Sequence, residues 1–447
     1  MRGVEPASVS FRDAFRFWLK LGFINFGGPG GQIAIMHQEL VEKRRWIDEE
    51  RFLHALNYCM LLPGPEAQQL ATYVGWLLHG TRGGLVAGLL FVLPGFFVLL
   101  ALSWLYAAHG RLAPVAAVFS GLRAAVIAIV AVALLRLGAR ALRRRAAFLI
   151  AAAAFVSIFA LAVPFPAIVA GAGLLGLALE RARPGALENA NASSTGVAPA
   201  GALAVTPARA GRRALRVLAV GLAAWWIPLL VVIAIRGRQD VLSQEAVYFS
   251  QAAMVTFGGA YAVLAYVNQA AVGHFGWLLP GQMLDGLALA ETTPGPLILV
   301  LEFVGFVAAW RNPGGLDPLL AGVLGAAVTV WATFAPCFLW ILLGAPFIER
   351  LRGNRALAAA LSGITAAVVG VMLNLAVWFA LHALFGTVEE VAVLGLTLPV
   401  VRPKDLDLVT LGLTVLCFVG QWRFSWGLVP VIAGSAGAGL LRAVLAW

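Results

Sequence analysis

The stretch CMLLPGPEAQQLATYVGW (residues 59–76) places Pro-Gly-Pro inside an otherwise apolar run, and ALAETTPGPLILVLEFVGF (288–306) repeats the pattern. Proline cannot continue a helix but starts one well, and glycine adopts backbone conformations that other residues avoid. Each Pro-Gly-Pro is therefore predicted to end one helix and begin another within an apolar segment.

The apolar content of the whole chain indicates a lipid environment. Of the 447 residues, 61% are apolar and 12% are charged, whereas about 25% of residues are charged in an average soluble domain. A membrane-spanning helix needs about 20 apolar residues. Apolar runs that approach or exceed this length cover residues 84–107, 115–135, 146–162, 217–235, 319–343, 357–381, 406–420 and 427–444. We predict an all-α polytopic membrane protein.

Charge and cysteine content argue against other classes of protein. The net charge of +11 comes from basic residues in short loops between apolar runs, which is typical of cytoplasmic loops and not of a nucleic-acid-binding surface. The cysteines at 59, 337 and 417 are far apart and form no CxxC or Cys/His cluster, so we expect no metal site and no cofactor.

The two halves of the chain share motifs at constant sequence offsets. Phe26-Gly27-Gly28 recurs as Phe257-Gly258-Gly259, and Pro63-Gly64-Pro65 recurs as Pro294-Gly295-Pro296, both at an offset of 231. Further matches are Trp46 with Trp277 and Gly83-Gly84 with Gly314-Gly315 at 231, and Pro94 with Pro336 and SGLRAAVIA (120–128) with SGITAAVVG (362–370) at 242. These recurrences predict an internal duplication.

A stretch rich in Ala, Gly, Ser and Pro separates the two halves and is typical of a flexible linker. We therefore divide the chain into a first repeat (1–180), a cytoplasmic linker (181–213), a connecting transmembrane helix (214–240) and a second repeat (241–447).

The distribution of Lys and Arg indicates that the repeats have opposite orientations. EKRRW (42–46) is basic, but its counterpart GHFGW (273–277) has no Lys or Arg, whereas ERLRGNR (349–355) is more basic than its counterpart AAHGR (107–111). Basic loops favour the cytoplasmic side. Equivalent loops on opposite sides are typical of the inverted-topology repeats of secondary transporters, and one extra crossing between the halves would produce them.

The duplicated motifs create four interruptions, which we call break 1 (25–28), break 2 (63–65), break 3 (256–259) and break 4 (293–296). The arms around break 2 hold about 15 residues each, or about 22 Å of helix, which is less than the hydrocarbon core of about 30 Å. We expect broken or re-entrant helices there; two full crossings by a tilted pair are the alternative.

A helix that begins inside the membrane presents N–H groups that need a partner, and an anion is a good one because the helix dipole also favours it. We therefore expect an anion site where the breaks meet; the alternative is that the breaks are packing kinks. The expected anion-site residues are Asn25, Gly27, Gly28, Pro29, Gln32, Pro63, Gly64, Pro65, Gln69, Arg123, Thr256, Gly258, Gly259, Thr292, Thr293, Pro294, Gly295 and Pro296.

Four charged residues within apolar segments suggest further roles. Arg123 would supply positive charge to the anion, or else extend to the nearer membrane surface. Glu66, Glu291 and Glu302 are candidates for proton coupling, although Glu66 also suits the first turn of a helix.

The chain resembles the chromate transporter family in its long, two-domain form. The resemblance covers nearly the whole chain outside residues 184–210. It depends on FGGPGGQIAIMHQELVEKRRWIDEERF (26–52), LLPGPEAQQLATYVGW (61–76), VLPGFF (92–97), FGGAYAVLAYV (257–267) and ETTPGPLILVLEFVGF (291–306). One position departs from the duplication, because Ala260 stands where the first half has Pro29.

This resemblance implies a protein of the bacterial inner membrane that exports chromate in exchange for protons and confers chromate resistance. It also implies recognition of sulfate, a dianion of similar shape. The expected partners are thus chromate or sulfate, protons and the lipid bilayer, with a second copy of the chain in a homodimer also considered. The rival functions are transport of another anion, a channel and a membrane-embedded enzyme; we find no catalytic constellation for the last.

Overall fold

The computed structural model describes residues 9–110, 112–185, 187, 207–257, 259–345, 355–393 and 396–445. In these residues the chain forms sixteen α-helices and one two-stranded antiparallel hairpin. The prediction of an all-α fold is therefore confirmed, with the hairpin as a small addition.

The helices of the first half are α1 (Phe11–Ile24), α2 (Gly28–His37), α3 (Glu49–Cys59), α4 (Glu66–His109), α5 (Ala113–Ala141), α6 (Arg145–Phe159) and α7 (Phe165–Ala182). Those that follow are α8 (Pro207–Arg236), α9 (Val241–Val255), α10 (Ala260–Asn268), α11 (Pro280–Thr292), α12 (Val300–Arg311), α13 (Pro318–Gly344), α14 (Arg355–Leu384), α15 (Leu408–Arg423) and α16 (Leu428–Val444). The strands are β1 (Val388–Val393) and β2 (Leu396–Val401), and short π-helices cover Gln38–Lys43 and Gln269–His274.

Six of the described helices are long and apolar enough to cross a membrane, namely α4, α5, α7, α8, α13 and α14. Many large apolar side chains face outward, such as Ile235, which is 76% exposed, and Leu149, which is 67% exposed. Outward-facing apolar side chains over much of a chain suit lipid as the solvent. The prediction of a membrane protein is confirmed.

Three of the expected spans differ from the structure. The runs at 146–162, 406–420 and 427–444 form α6, α15 and α16, which have 15, 16 and 17 residues and are shorter than a typical span. Conversely, α7 was not among the expected spans, although its 18 residues qualify. Composition identifies apolar segments, but helix length depends on where Pro and Gly stop each helix.

Equivalent helices of the two halves recur at constant offsets. The end of α9 at Val255 follows the end of α1 at Ile24 by an offset of 231, and the same offset separates the starts of α3 and α11. The starts of α5 and α14 have an offset of 242, and those of α6 and α15 have an offset of 263. The hairpin lies between α14 and α15 and accounts for the last increase, so the motifs and the helices follow the same repeat.

The 44-residue helix α4 is bent back on itself at His79 and Gly80. Both residues have non-helical backbone angles, and Gly80 has a φ of 63°, which a glycine adopts readily. A Cβ atom at Gly83 would collide with the backbone of Gly75. The helical segments on the two sides of the bend therefore pack against each other as an antiparallel pair, and this close contact extends to Gly88 and Thr72.

This bend gives break 2 two short arms. The arm before it, α3, has 11 residues, and the arm after it covers residues 66–78. At 1.5 Å per residue each arm is about 20 Å or shorter, which is less than the hydrocarbon thickness. The expectation of a broken helix at Pro63-Gly64-Pro65 is confirmed.

The expected linker and connecting helix fall in part outside the described residues, because 186 and 188–206 are among those not described. The described part begins with α8 at Pro207, within the segment expected to be linker. The 26 residues Gly211–Arg236 of this helix are apolar and long enough to span.

The chain divides into two compact units. Unit 1 contains Met1–Ala101, Ser193–Gly259 and Thr293–Gly353, and unit 2 contains Leu102–Ala192, Ala260–Thr292 and Asn354–Trp447. Each unit takes segments from both halves of the sequence. All four breaks belong to unit 1.

The core of unit 1 is built from large side chains on α1, α3 and α4. Trp18, Phe52, Tyr58 and Phe91 are almost completely buried there, together with Ile341 near the end of α13. Burial of a large apolar side chain contributes about 1.5–3 kcal/mol. These contacts hold the arms that flank breaks 1 and 2.

Unit 2 depends on close approach between helix backbones. A Cβ at Gly121 of α5 would collide with the Ser435 carbonyl of α16, and one at Gly370 of α14 would collide with the Ala151 carbonyl of α6. Small residues at such crossings let helices pack tightly in lipid, where the hydrophobic effect does not drive their association.

Candidate functional site

Each break ends one helix and begins another at a glycine with positive φ. The φ angles are +94° at Gly27, +125° at Gly64, +98° at Gly259 and +107° at Gly295. L-amino acids with a side chain rarely adopt these values. Helix α2 begins directly after Gly27 with a proline in its first turn, and α4 begins directly after Pro65.

The breaks contact one another in a reciprocal pattern across the repeat. The amide of Gly64 in break 2 donates a 2.8 Å hydrogen bond to the carbonyl oxygen of Thr256 in break 3. The amide of Gly295 in break 4 donates a 3.3 Å hydrogen bond to the carbonyl oxygen of Asn25 in break 1. Gly295 is the counterpart of Gly64, and Thr256 is the counterpart of Asn25, so the same bond forms twice with the halves exchanged.

Side chains strengthen the contact between breaks 1 and 4. The side-chain oxygen of Asn25 accepts a second hydrogen bond from the Gly295 amide at 2.7 Å. The amide nitrogen of Gln32 donates to the carbonyl oxygens of Asn25 at 2.9 Å and Gly295 at 2.6 Å. All three residues are buried, so these bonds have little competition from water.

The contact between breaks 2 and 3 is supported differently. The Thr256 hydroxyl donates to Ala252 within its own helix at 2.7 Å, and the Gln69 side chain donates to Pro63 within break 2 at 2.7 Å. Both side chains thus bond within their own segment and do not bridge the two breaks. The two contacts share a backbone bond and differ in their side-chain support.

Tight packing surrounds the breaks. A Cβ atom at Gly95 of α4 would collide with the Pro294 carbonyl oxygen. A Cβ atom at Gly64 would lie 2.7 Å from the sulfur of Cys337 and 2.7 Å from the Gln69 amide nitrogen. Larger residues at these two positions would separate the helices that the breaks hold together.

The reciprocal bonds change the expected anion site. We expected the amides at the breaks to be free for an anion, but those of Gly64 and Gly295 donate to carbonyl oxygens instead. The two breaks of each contact thus satisfy one another in this structure, and anion binding by Gly64 and Gly295 stays a prediction. The N–H groups that remain suited to an anion are those in the first turns of the helices that follow, since first-turn groups have no partner within their helix.

Three buried glutamine oxygens lie near these helix starts. The side-chain oxygens of Gln32, Gln68 and Gln69 have no hydrogen-bond partner among the described residues. Their amide nitrogens donate to neighbouring groups, which fixes the orientation of each side chain. A buried amide oxygen needs a hydrogen-bond donor such as water. These three oxygens therefore add unused acceptors to the polar groups around the breaks.

Arg123 has a partner that its sequence context does not indicate. Its guanidinium donates to both carboxylate oxygens of Asp285, at 2.8 and 2.9 Å, and Tyr106 donates to the same carboxylate at 2.9 Å. A Cβ at Gly281 would lie 2.9 Å from the guanidinium, so the absence of a side chain there leaves room for it. Asp285 compensates the charge that we expected Arg123 to offer an anion.

The three proton-coupling candidates have different surroundings. Glu291 accepts a 2.6 Å hydrogen bond from the Tyr261 hydroxyl and is buried. Glu302 is fully buried, and neither of its oxygens has a hydrogen-bond partner among the described residues. Glu66 is half-buried in the first turn of α4.

The remaining expected residues fall at the ends of helices or outside the described part. The Thr292 hydroxyl donates to Leu289 at 2.7 Å within α11, and Thr293 is buried at the start of break 4. Pro63 is half-buried, whereas Pro294 and Pro296 are buried. Gly258 lies outside the described residues.

Two buried carboxylates, Asp285 in α11 and Glu245 in α9, were not predicted from the sequence. The sequence-based candidates are mostly polar residues next to the breaks, whereas Asp285 and Glu245 each lie two helical turns or more before the nearest break. A signal was present for Glu245, because its counterpart in the first half is Ala14 and the helix around it is otherwise apolar or uncharged. An intramembrane carboxylate is costly and points to function wherever it lies.

Comparison with known proteins identifies the family. The family model described as Chromate transporter matches residues 12–177 and 244–440, which together cover most of the chain. A chromate transport protein of Pseudomonas aeruginosa is 32% identical over 98% of this chain and 93% of that protein. A probable chromate transport protein of Synechococcus elongatus is 29% identical over 97% of this chain and 96% of that protein.

A chromate transport protein of Cupriavidus metallidurans is 30% identical over 81% of this chain and 81% of that protein. No solved structure matches the chain. The two matched segments of the family model fall within the two expected repeats and leave out residues 178–243 between them. On this evidence, the chain belongs to the chromate transporter family.

Proposed function

We propose that this protein exports chromate across the inner membrane of a bacterium in exchange for protons and so confers resistance to chromate. The names of the relatives support chromate as the substrate. The main structural support for the proposed mechanism is the reciprocal pairing of Gly64 with Thr256 and of Gly295 with Asn25.

This pairing supports inverted repeats that alternate in access. A two-fold axis between the halves would place each residue of one half opposite the counterpart of its partner in the other half. The contact of Gly64 with Thr256 would then be repeated by their counterparts Gly295 and Asn25. The reversed distribution of Lys and Arg favours an axis in the membrane plane, as in transporters with inverted-topology repeats. Opening one of the two contacts while the other stays closed would expose the region between them to one side at a time.

The anion would bind at the helix starts next to these contacts. First-turn N–H groups and the helix dipole favour a dianion, and the buried glutamines and threonines around the breaks add polar groups. Because the Gly64 and Gly295 amides are already bonded, the candidate donors in unit 1 are the first-turn amides of α2 and α4 and the amides of Leu297 and Ile298, which open the 3-10 turn before α12. Gly27, Gly28 and the prolines then act by starting these helices in place.

Proton exchange would use buried carboxylates. Glu66, Glu291 and Glu302 are the candidates that lie close in sequence to breaks 2 and 4, and both oxygens of Glu302 are buried with no partner among the described residues. A carboxyl group that is buried without a partner holds a proton more readily than one in water.

The direct test is flux of radioactive chromate in inside-out and right-side-out vesicles, with and without a pH gradient. Chromate accumulation in inside-out vesicles that depends on an acidic lumen supports export by proton exchange. Flux that responds only to the chromate gradient would indicate a channel. Strong competition by sulfate, with slow chromate flux, would indicate a sulfate transporter.

The breaks are tested by Gly295→Ala, with Gly437→Ala as the matched control. Gly295 has a φ of +107° that alanine adopts only with strain of about 1–3 kcal/mol, whereas a Cβ at Gly437 has open space around it. We expect Gly295→Ala to abolish growth protection by a normally expressed protein and Gly437→Ala to retain it. Protection that is equal in the two variants would argue against a role for the break.

A further inference from the structure

Two buried carboxylates in unit 1 have no hydrogen-bond partner among the described residues. They are Glu245 of α9 and Glu302 of α12, both with no exposed surface and with both oxygens unpartnered. An ionised carboxylate in this situation would cost many kcal/mol, so these surroundings favour the neutral carboxyl group.

The helices that carry the two carboxylates, α9 and α12, both pack on α13. A Cβ atom at Gly325 of α13 would lie 3.1 Å from an oxygen of Glu245 and would also collide with the Gly305 carbonyl of α12. Glu302 precedes Gly305 by one helical turn and so shares its face of α12. Gly325 therefore marks the place where the helices that carry the two carboxylates converge.

The buried hydroxyl of Thr329 lies where α12 and α13 converge. Thr329 of α13 lies one turn beyond Gly325, and its hydroxyl faces Gly305, where a Cβ would collide with it. This hydroxyl is fully buried and has no hydrogen-bond partner among the described residues. It is an unused donor and acceptor on the face of α13 that packs against α12.

A polar stripe on α13 connects this place to break 2. Gly325, Thr329, Thr333 and Cys337 recur at every fourth position and so lie on one face of the helix. Thr333 donates to the carbonyl oxygen of Thr329 at 2.8 Å, and Cys337 donates to that of Thr333 at 3.4 Å. The Cys337 thiol in turn contacts the Gln69 side chain next to break 2.

We propose that Glu245 and Glu302 form a two-carboxylate proton site whose loading is coupled to the breaks through the polar stripe of α13. The proposal rests on the proposed function and specifies which groups hold the exchanged proton. Loading forms an O–H bond on a carboxylate with a proton taken from water, and release returns that proton to water and leaves the carboxylate. Glu245 is the member that lies away from the breaks.

The charged groups around this site are few. Asp240, which caps the start of α9, forms an ion pair with Arg236 of α8 at 2.8 Å. α12 contributes Glu302 itself and Arg311 at its far end, and α13 has Asp317 at its start. The remaining charges on α8 are the arginines of its first turns. No Lys, Arg or His forms an ion pair with Glu245 or Glu302 in the described chain.

The test compares Glu245→Gln, Glu302→Gln and the exposed control Glu50→Gln in purified, full-length protein reconstituted in liposomes. One assay measures chromate–chromate exchange at equal pH, which needs no net proton movement. The other measures chromate flux driven by a pH gradient. We expect exchange within about twofold of the parent protein and at least about a tenfold loss of pH-driven flux for both buried variants, and no change for Glu50→Gln.

A spectroscopic readout does not depend on transport. Infrared difference spectra at neutral pH should show the carbonyl band of protonated carboxyl groups in the parent protein and a weaker band in each buried variant. An unchanged band in Glu245→Gln would overturn the proposal even if transport fell. If the band weakens in the buried variants but chromate transport by the parent protein does not depend on pH, the result would instead contradict the proposed proton exchange.

Other outcomes also decide the question. Retained pH-driven flux in Glu245→Gln overturns the proposal, and so does equal loss of exchange and pH-driven flux. If glutamine prevents folding, Glu245→Asp keeps a titratable group, and pH-driven flux that recovers with aspartate but not with alanine supports the proton role. A sodium gradient that drives flux in place of the pH gradient would overturn the assignment to protons and show that the site binds another cation.

Discussion

At the scale of single residues, Asn25 and Thr256 show how two equivalent positions have diverged. Both carbonyl oxygens accept the amide of a break glycine, but only Asn25 adds its side chain to the bond. Gln32 adds two more hydrogen bonds at the Asn25 side, where its counterpart in the second half is Val263. The contact between breaks 1 and 4 should therefore be the more stable of the two.

Truncation of each residue tests this difference. Asn25→Ala removes a buried hydrogen bond from the Gly295 amide and a 3.3 Å bond to the Phe91 carbonyl oxygen, and we expect it to destabilise the protein by about 1–2 kcal/mol. Thr256→Ala removes only a bond within its own helix and should cost less than about 0.5 kcal/mol. The measurement is the thermal unfolding midpoint of each purified variant in detergent.

The parent protein and Thr410→Ser, which keeps the hydroxyl at a position away from the breaks, serve as references. Equal destabilisation by Asn25→Ala and Thr256→Ala would show that the side-chain bonds of Asn25 contribute little beyond the shared backbone bond.

Residue types could be predicted from the sequence at this scale, but their partners could not. Asn25, Gln32 and Gly295 are recognisable as polar or special residues near breaks. Their pairing is not recognisable, because Asn25 and Gly295 are 270 residues apart and only folding brings them together. For the same reason Asp285 could not be recognised as the partner of Arg123, which lies 162 residues away.

At the scale of secondary-structure elements, periodic motifs were a better guide than apolar length. The constant offset of 231 located all four breaks, and the structure ends and begins helices there. The length of the apolar runs alone predicted spans at α6, α15 and α16, but these helices are too short for a typical span. It also did not show that α4 bends back at Gly80. That bend depends on close packing of Gly75 and Gly83, which a sequence does not display.

The β1–β2 hairpin lengthens one connection in the second half of the chain. In the first half only residues 142–144 connect α5 to α6, whereas residues 385–407 connect the equivalent α14 and α15. The ends of this connection are already adjacent, since the Asp407 amide donates to the Leu384 carbonyl oxygen at 2.8 Å. The ion pair of Arg402 with Glu389 on the hairpin is exposed and contributes little.

Replacement of residues 386–405 by a short Gly-Ser linker should therefore leave the fold and the transport activity intact. A short loop between adjacent ends costs little closure entropy. The measurements are the unfolding midpoint and chromate flux in liposomes, with Arg402→Ala as a control that only opens the exposed ion pair. Loss of flux in the shortened chain with normal flux in Arg402→Ala would show that the hairpin takes part in transport.

At the scale of the whole molecule, the proposed mechanism depends on the orientation of the two halves of the chain relative to each other in the membrane. The structure repeats its helices at constant offsets and pairs the breaks reciprocally, as expected for two copies related by a two-fold axis. An axis in the membrane plane places equivalent loops on opposite sides, whereas an axis along the membrane normal places them on the same side. Alternating access between inverted halves requires the first arrangement.

Cysteine labelling of equivalent loops distinguishes the two arrangements. Thr81 follows the bend in α4, and its counterpart Asn312 follows the end of α12; both are exposed. The native cysteines at 59, 337 and 417 are buried and should react slowly, and a variant without them provides the background. In intact cells, a membrane-impermeant maleimide should label only one of Thr81→Cys and Asn312→Cys, and in inside-out vesicles it should label only the other. Labelling of both from the same side would mean parallel repeats, and a mechanism based on inverted halves would then have to be abandoned.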